Sequence, residues 1–292
     1  MLSEVAQLFD PLGFLSPFTI RAKMLLQELW LEKLAWDDSP SDSINKKWLK
    51  FKKEFSQLST ISIPRWLNIT TSSTVELHGF SDASQLAMSA VIFIKSTNSQ
   101  LEPKISLICA KTKVAPLKRI TIPRMELTAA QLLTRLMIYV QNTLELSNSP
   151  VFMWTDSQVT LNWIQSHPSQ WKDYVRNRVS FIQDQLPHAQ WRFIKGKENP
   201  ADCASRGMTI SQLKGHTLWW NGPSWLKDSS NQWPSPQIKI DNSTQLEERP
   251  GLSLRVSTDP HSQLWDIIER YSSLKHLLRI TSICFRTINT LK

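Results

Sequence analysis

The hydrophobic pattern divides the chain into helical flanks and a mixed middle. Near the N-terminus Ile20, Met24, Leu25, Leu29, Leu31 and Leu34 recur at helical spacing and stop before Pro40. A second amphipathic run starts at Ser43 and carries Ile44, Trp48, Leu49, Phe51, Phe55 and Leu58. The period then changes. Val75, Leu77 and Gly79 alternate with Glu76, His78 and Phe80, which predicts a strand that closes on Asp82. The Val- and Ile-rich stretch Leu86 to Lys95 predicts a second strand, and the alternation over Lys104 to Lys111 a third. Leu127, Ala130, Leu133, Met137, Val140 and Leu144 form one stripe on a helix from about Arg124 to Leu146. Val151 to Thr155 is a short apolar strand that ends on Asp156. A helix over 157–165 follows and is stopped by Pro168; another spans 171–186, and Ala189 to Gly196 reads as a fifth strand. Asn199-Pro200 opens a further helix, because proline is tolerated in the first turn.

Five strands with interleaved helices imply an α/β layered fold, part hairpin and part crossover. The expected organisation is a helical segment over 1–70, an α/β domain over 71–208, a linker over 209–260 and an amphipathic basic tail over 261–292. The linker reading rests on a polar stretch rich in Pro, Ser and Asn, with Trp219, Trp220, Trp225 and Trp233 docked along it.

Composition narrows the function classes. With 292 residues the chain has room for a substantial core. Seven glycines form neither G-x-G-x-x-G nor G-x-x-x-x-G-K-[ST], which argues against nucleotide-cofactor folds of those types. A net charge of +9 suits a polyanionic partner. Three well-separated cysteines, Cys109, Cys203 and Cys284, argue against a disulfide framework or a zinc site and for a reducing compartment. No apolar run reaches the ~18 residues of a membrane helix, and the N-terminus lacks a basic signal-like region. The expectation is a soluble intracellular protein, cytoplasmic or nuclear, with no membrane partner.

Four acidic residues occupy equivalent places. Asp82 and Asp156 close strands, while Glu126 and Asp202 lie in the first turns of helices. Separations of 44, 30 and 46 residues prevent them from capping one another locally. Helix N-termini favour negative charge by only ~0.3–1 kcal/mol, too little to hold four carboxylates together. Hard divalent cations such as Mg²⁺ or Mn²⁺ could do so through all-oxygen ligation. Asp82 taken alone reads first as a turn-capping aspartate, and it is the three matching carboxylates downstream that turn the reading toward a shared site. Asp37-Asp38 follows a helix and precedes Ser-Pro, so it reads as a solvated helix end. Between Glu102 and Glu126 lie six basic residues and no acid: Lys104, Lys111, Lys113, Lys118, Arg119 and Arg124. They could track phosphates, or simply solvate an edge strand.

These residues carry a family resemblance. GFSDAS, IPRMELTAA, VFMWTDSQVTLNWI and FIKGKENPADCASRG resemble the retroelement ribonuclease H domain with its Asp-Glu-Asp-Asp order. LFDPLGFLSPFTIRAKMLLQELW, with WTDSQ and NPADCASRG, resembles the polyprotein of Pao (BEL/Pao) LTR retrotransposons. The resemblance implies a ribonuclease H-like five-stranded mixed sheet with flanking helices. It also implies Mg²⁺-dependent cleavage of RNA in RNA·DNA hybrids, with Asp82, Glu126, Asp156 and Asp202 as catalytic residues and ligands of two ions. Asp82 would bridge the ions, Asp156 and Asp202 would hold the one that activates water, and Glu126 the one nearer the leaving group. Ser84, Lys113, Lys118, Arg119, Arg124, Ser157, Lys197, Asn199 and Arg206 are the candidate substrate contacts. Ser84 and Ser157 are equally plain turn or cap serines. Residues 1–70 resemble the end of a reverse transcriptase and 209–292 the approach to an integrase, which would be the partners within a parent polyprotein. The loop Lys195 to Pro200 lacks the histidine that many ribonucleases H carry there; Lys197 stands near its place. The alternative is a catalytically silent remnant that still binds nucleic acid.

Overall fold

A computed structural model of the chain describes residues 2–35, 38–67, 69–70, 73–98, 101–234, 247–249 and 273–290. Two compact units are present, Met1–Arg249 and Pro250–Lys292.

The first unit is built on one sheet of strand order β3-β2-β1-β4-β5. β1 (Thr74–Ala83), β2 (Ala87–Asn98) and β3 (Leu101–Val114) form an antiparallel meander. β4 (Val151–Thr155) lies parallel to β1, and β5 (Gln190–Phe193) parallel to β4. Parallel neighbours need a crossover, supplied by α4 (Ile122–Thr143) between β3 and β4 and by α5 (Gln158–Gln165) with α6 (Asp173–Gln185) between β4 and β5. Among the described residues of this unit the other α-helices are α1 (Leu2–Ala6), α2 (Ser16–Leu31), α3 (Asp42–Lys53), α7 (Ala201–Arg206), α8 (Ile210–Lys214) and α9 (Thr217–Asn221).

Period-two alternation sorts the strands onto two cores. Leu77, Ile92 and Ile94 pack against Leu133, Met137 and Val140 of α4. Gly79 allows this close approach, since a Cβ there would meet Leu133 Cδ1 at 2.8 Å. Phe80, Val91 and Phe93 belong to the other core, with Phe18 and Phe51 from the N-terminal helices and with Trp154, Trp219 and Trp233. Phe18 stacks on Phe51 at 4.3 Å between ring centroids.

The N-terminal helices therefore belong to the body of this unit. Arg21 clamps them in place. Its Nη1 and Nη2 donate to the two oxygens of Glu54 at 2.7 and 3.0 Å, and Glu54 also accepts from the Ile210 amide at 3.1 Å. Removing one partner strands the other in a largely buried setting, with side-chain exposures of 22% and 11%. Arg21→Ala is expected to lower stability by ~3 kcal/mol, read as a drop in urea midpoint with the slope unchanged.

The structure differs from the sequence expectations in three places. First, 209–260 is not simply a linker: Ile210–Lys214 and Thr217–Asn221 are helices, and Leu213, Trp219, Leu226 and Trp233 are buried. Thr209 and Gln212 form a reciprocal capping box that starts α8. These buried residues join one core over the sheet but are widely spaced along the chain, so no period betrayed them; residues 235–246 and 250–260 lie outside the described residues. Second, α4 begins at Ile122 instead of Arg124, with Pro123 in its first turn, so Glu126 sits one turn inside the helix. Third, Asp82 is within β1, opposite Ser89, instead of just closing it.

In the second unit the described helix is Leu274–Thr290, with Leu274, Leu278, Phe285 and Ile288 exposed; the rest of 250–272 lies outside the described residues. Among the described residues no helix is long and apolar enough to cross a membrane.

Candidate active site

The parallel register of β1 and β4 builds the site. Ser81 stands opposite Thr155, so Asp82 and Asp156 emerge side by side where both strands end. Glu126 reaches the same point from α4 and accepts a hydrogen bond from the Ala83 amide. One carboxylate oxygen from each of Asp82, Glu126 and Asp156 lies within 4.8 Å of the others. Asp82 is 4% exposed and Glu126 7%.

Three like charges in so dry a place raise each other's proton affinity. Burial first, then the charges of Asp82 and Asp156, push Glu126 up to about 10. Burial and then Asp156 raise Asp82, against a hydrogen bond from Ser205. Burial likewise raises Asp156, partly offset by its own amide and by Asn199. Glu126 Oε2 and Asp156 Oδ1 are buried without a hydrogen-bond partner among the described residues. Buried acceptors are rarely left bare, and convergent bare oxygens suit a hard cation.

Asp202 is set apart from this trio. It lies in the first turn of α7, its side chain 33% exposed, and its Oδ1 accepts from Arg206 Nε one turn on. Its charge still raises Asp82, Asp156 and Glu126, so it stands at the rim of the same site.

The other candidates divide by their partners. Asn199 is fully buried; Nδ2 donates to the Ser81 carbonyl at 3.0 Å, Oδ1 accepts from the Ala201 amide at 3.1 Å, and the side chain also bonds Asp156. Ser84 Oγ donates to the Ser205 carbonyl at 2.8 Å and organises the β1–β2 turn. Ser157 caps α5 by accepting from the Thr160 amide at 3.2 Å. Arg124 is committed elsewhere: Nε and Nη2 bind the Glu247 carboxylate at 2.8 and 3.0 Å, and its guanidinium lies over Tyr174. Lys113, Lys118, Arg119 and Lys197 are exposed, and the Arg206 side chain is 72% exposed.

Sequence reasoning missed Ser205. This fully buried hydroxyl donates to Asp82 Oδ2, and the Ser89 hydroxyl, donating to the Ala201 carbonyl at 2.5 Å, further ties α7 to the sheet. The available signal was weak, namely a small polar residue three positions after an acid on a short helix. Of the two histidines nearest the 195–200 loop in sequence, His216 caps α9 and contacts Cys203 Sγ at 3.7 Å, while His188 is exposed.

A meander of three strands continued by two parallel ones, with carboxylates at the ends of β1 and β4, defines a ribonuclease H-like domain. The family described as Pao retrotransposon-like RNaseH-like domain matches residues 1–157, and the chain belongs to it. That span includes the N-terminal helices and Asp82, Glu126 and Asp156, and stops short of Asp202. No curated protein matches. Similar solved structures include LC9-RNase H1 (12% identity, 63% of this chain and 100% of that one, TM-score 0.35). An RNase H domain of rv2228c from Mycobacterium tuberculosis (9%, 46% and 94%, TM-score 0.31) and the PFV RNase H domain (12%, 49% and 94%, TM-score 0.27) are further examples.

Proposed function

We propose that the chain is a divalent-metal-dependent endonuclease that cuts the RNA strand of an RNA·DNA hybrid, acting as the ribonuclease H portion of a retrotransposon polyprotein. The observation that carries this reading is the largely buried trio Asp82, Glu126 and Asp156: one oxygen of each lies within 4.8 Å of the others, and Glu126 Oε2 and Asp156 Oδ1 have no hydrogen-bond partner among the described residues. Asp82, Glu126 and Asp156 would hold Mg²⁺ or Mn²⁺, with Asp202 available from the rim once it leaves Arg206. Two such ions, when bound, neutralise phosphodiester charge and lower the pKa of an attacking water.

The chain's own residues do the positioning. Ser205 fixes one oxygen of Asp82 by donating to Oδ2. Asn199 ties Asp156 to the end of β1 through the Ser81 carbonyl. Arg206 stands beside Asp202 as an exposed cation suited to a substrate phosphate. Lys197, exposed on the turn before α7, is a further phosphate contact in this reading. Reverse-transcriptase and integrase portions of the parent polyprotein would be its partners.

The test is cleavage of a labelled RNA·DNA hybrid by purified full chain, with and without Mg²⁺. Binding without cleavage would return the chain to the silent-remnant alternative. A pH–rate profile adds detail. No histidine lies in the 195–200 loop, so no histidine limb is expected near ~6.5, and any limb close to neutrality should belong to the Asp82 carboxyl and persist in histidine variants. A limb that vanishes in His188→Ala or His216→Ala would show that a distant histidine takes part.

A further inference from the structure

The N-terminal segment and the outer strand of the sheet enclose a cleft of about 670 Å³. Its construction begins at Gly13, where φ is +73° and a Cβ would lie 1.9 Å from the Ala110 carbonyl oxygen. Only glycine lets the chain cross β3 this closely. The Ala110 amide donates to the Leu12 carbonyl at 2.8 Å and pins the crossing to the strand. Asp10 closes the turn before α2 by accepting from the Leu15 amide at 2.9 Å. Lys23 from α2, Lys111 and Lys113 from β3, and Arg135 and Tyr139 from α4 are set around an apolar wall that includes Leu132.

The charge in this cleft is lopsided: four cations face one carboxylate, and that carboxylate is engaged by backbone amides. Lys23 Nζ donates to Thr112 Oγ1 at 3.2 Å. Burial, and the neighbouring Lys111 charge against the pull of Asp10, lower its pKa. Among the described residues Lys111 and Lys113 form no ion pair, and Arg135 only stacks over the Phe181 ring at 4.9 Å. Crowded cations of this kind are relieved by a polyanion.

Spacing identifies the polyanion. Lys111 and Lys113 lie on one face of β3, about 6.8 Å apart along the strand, close to the separation of consecutive phosphates on a nucleic-acid strand. Tyr139 is 64% exposed beside them, a flat surface on which a base can stack. Thr112 stands opposite Ser89, which stands opposite Asp82. The cleft thus begins two strand spacings, about 10 Å, from the carboxylate row, within the width of a duplex.

We infer that this cleft binds the phosphodiester backbone of a nucleic-acid strand, with Lys23, Lys111, Lys113 and Arg135 on phosphates and Tyr139 against a base. It rests on the nuclease reading only for the identity of that strand, the hybrid beyond its cleavage point; binding here needs no catalysis. A small polyphosphate shares the chemistry, but the spread of the cations over a strand and two helices favours the polymer.

The experiment titrates full chain, in buffer with chelator, into labelled RNA·DNA hybrid, single-stranded RNA and single-stranded DNA of equal length across a salt series. The double substitution Lys111→Ala/Lys113→Ala touches only exposed side chains of an edge strand. It is expected to weaken binding about tenfold at physiological salt and to lower the salt slope by ~2. Lys46→Ala/Lys50→Ala removes the same charge from the exposed side of α3 and should leave the slope unchanged. Hybrid affinity falling more than single-strand affinity places the hybrid in the cleft; the reverse places a separate strand there, and either supports the inference. Equal affinity and slope for the β3 variant and the wild type would overturn it while leaving the nuclease reading intact. Displacement of the strand by inorganic triphosphate at equal phosphate concentration would also overturn it, in favour of a small-anion site. A wild type that binds through this cleft yet never cleaves would sink the nuclease reading alone.

Discussion

Asp82→Asn is expected to abolish Mg²⁺-dependent hybrid cleavage while the protein remains folded. Asp82 is the member of the trio that touches Ser205, and it adds its charge to that of Asp156 and Glu126. The amide is nearly isosteric and its oxygen can still accept from Ser205, so the packing of α7 on β1 should survive. What is lost is one unit of negative charge at the site proposed to balance two dications. A fall of about 10³-fold or more in single-turnover rate corresponds to ~4 kcal/mol or more of transition-state stabilisation. The metal-free variant should also resist urea better than wild type above neutral pH, because one of three crowded charges is gone. Undiminished cleavage by a purified, folded variant would falsify the assignment of Asp82.

The second large effect is a linkage between metal, pH and stability. Glu126 is pushed up to about 10, and Asp82 and Asp156 are raised as well, so the folded state holds protons that the unfolded chain has released. Stability is therefore fully present below the unfolded carboxylate values near ~4 and falls as pH rises through the folded ones. For Asp82 the window closes at about 7, and for Glu126 at about 10. Glu76 acts in the opposite sense: its bond to His78 lowers it, so its contribution is lost toward acid. The comparison of wild type with Asp82→Asn isolates the trio from such groups. Divalent ions compete with the protons, so Mg²⁺ or Mn²⁺ is expected to stabilise the wild type by a few kcal/mol at pH ~8 and far less at pH ~5. Urea midpoints with chelator and with metal at both pH values provide the measurement. A metal effect that is equal at the two pH values, or absent in both, would count against a carboxylate-held ion.

The alternation around Leu77, the apolar run Val151 to Thr155 and the stripe on α4 determined the strands, the crossover helix and the placement of Asp82 and Asp156 at strand ends. Such patterns are local: burial on one face imposes a period of two or 3.6 on nearby residues, and proline or an acid marks where it stops. Tertiary structure alone decided the rest. It paired Arg124 with Glu247, 123 residues away, which takes a basic candidate off the substrate surface. Likewise, Ser205 met Asp82 across 123 residues. The polar stretch after residue 209 folded into helices because Leu213, Trp219, Leu226 and Trp233 joined one core over the sheet. The basic cleft arose where Gly13 crosses Ala110, bringing Lys23 to Lys111 and Lys113. Each of these depends on which surfaces meet after the chain has folded back on itself, and side chains that meet across such distances leave no period in the sequence that brings them together.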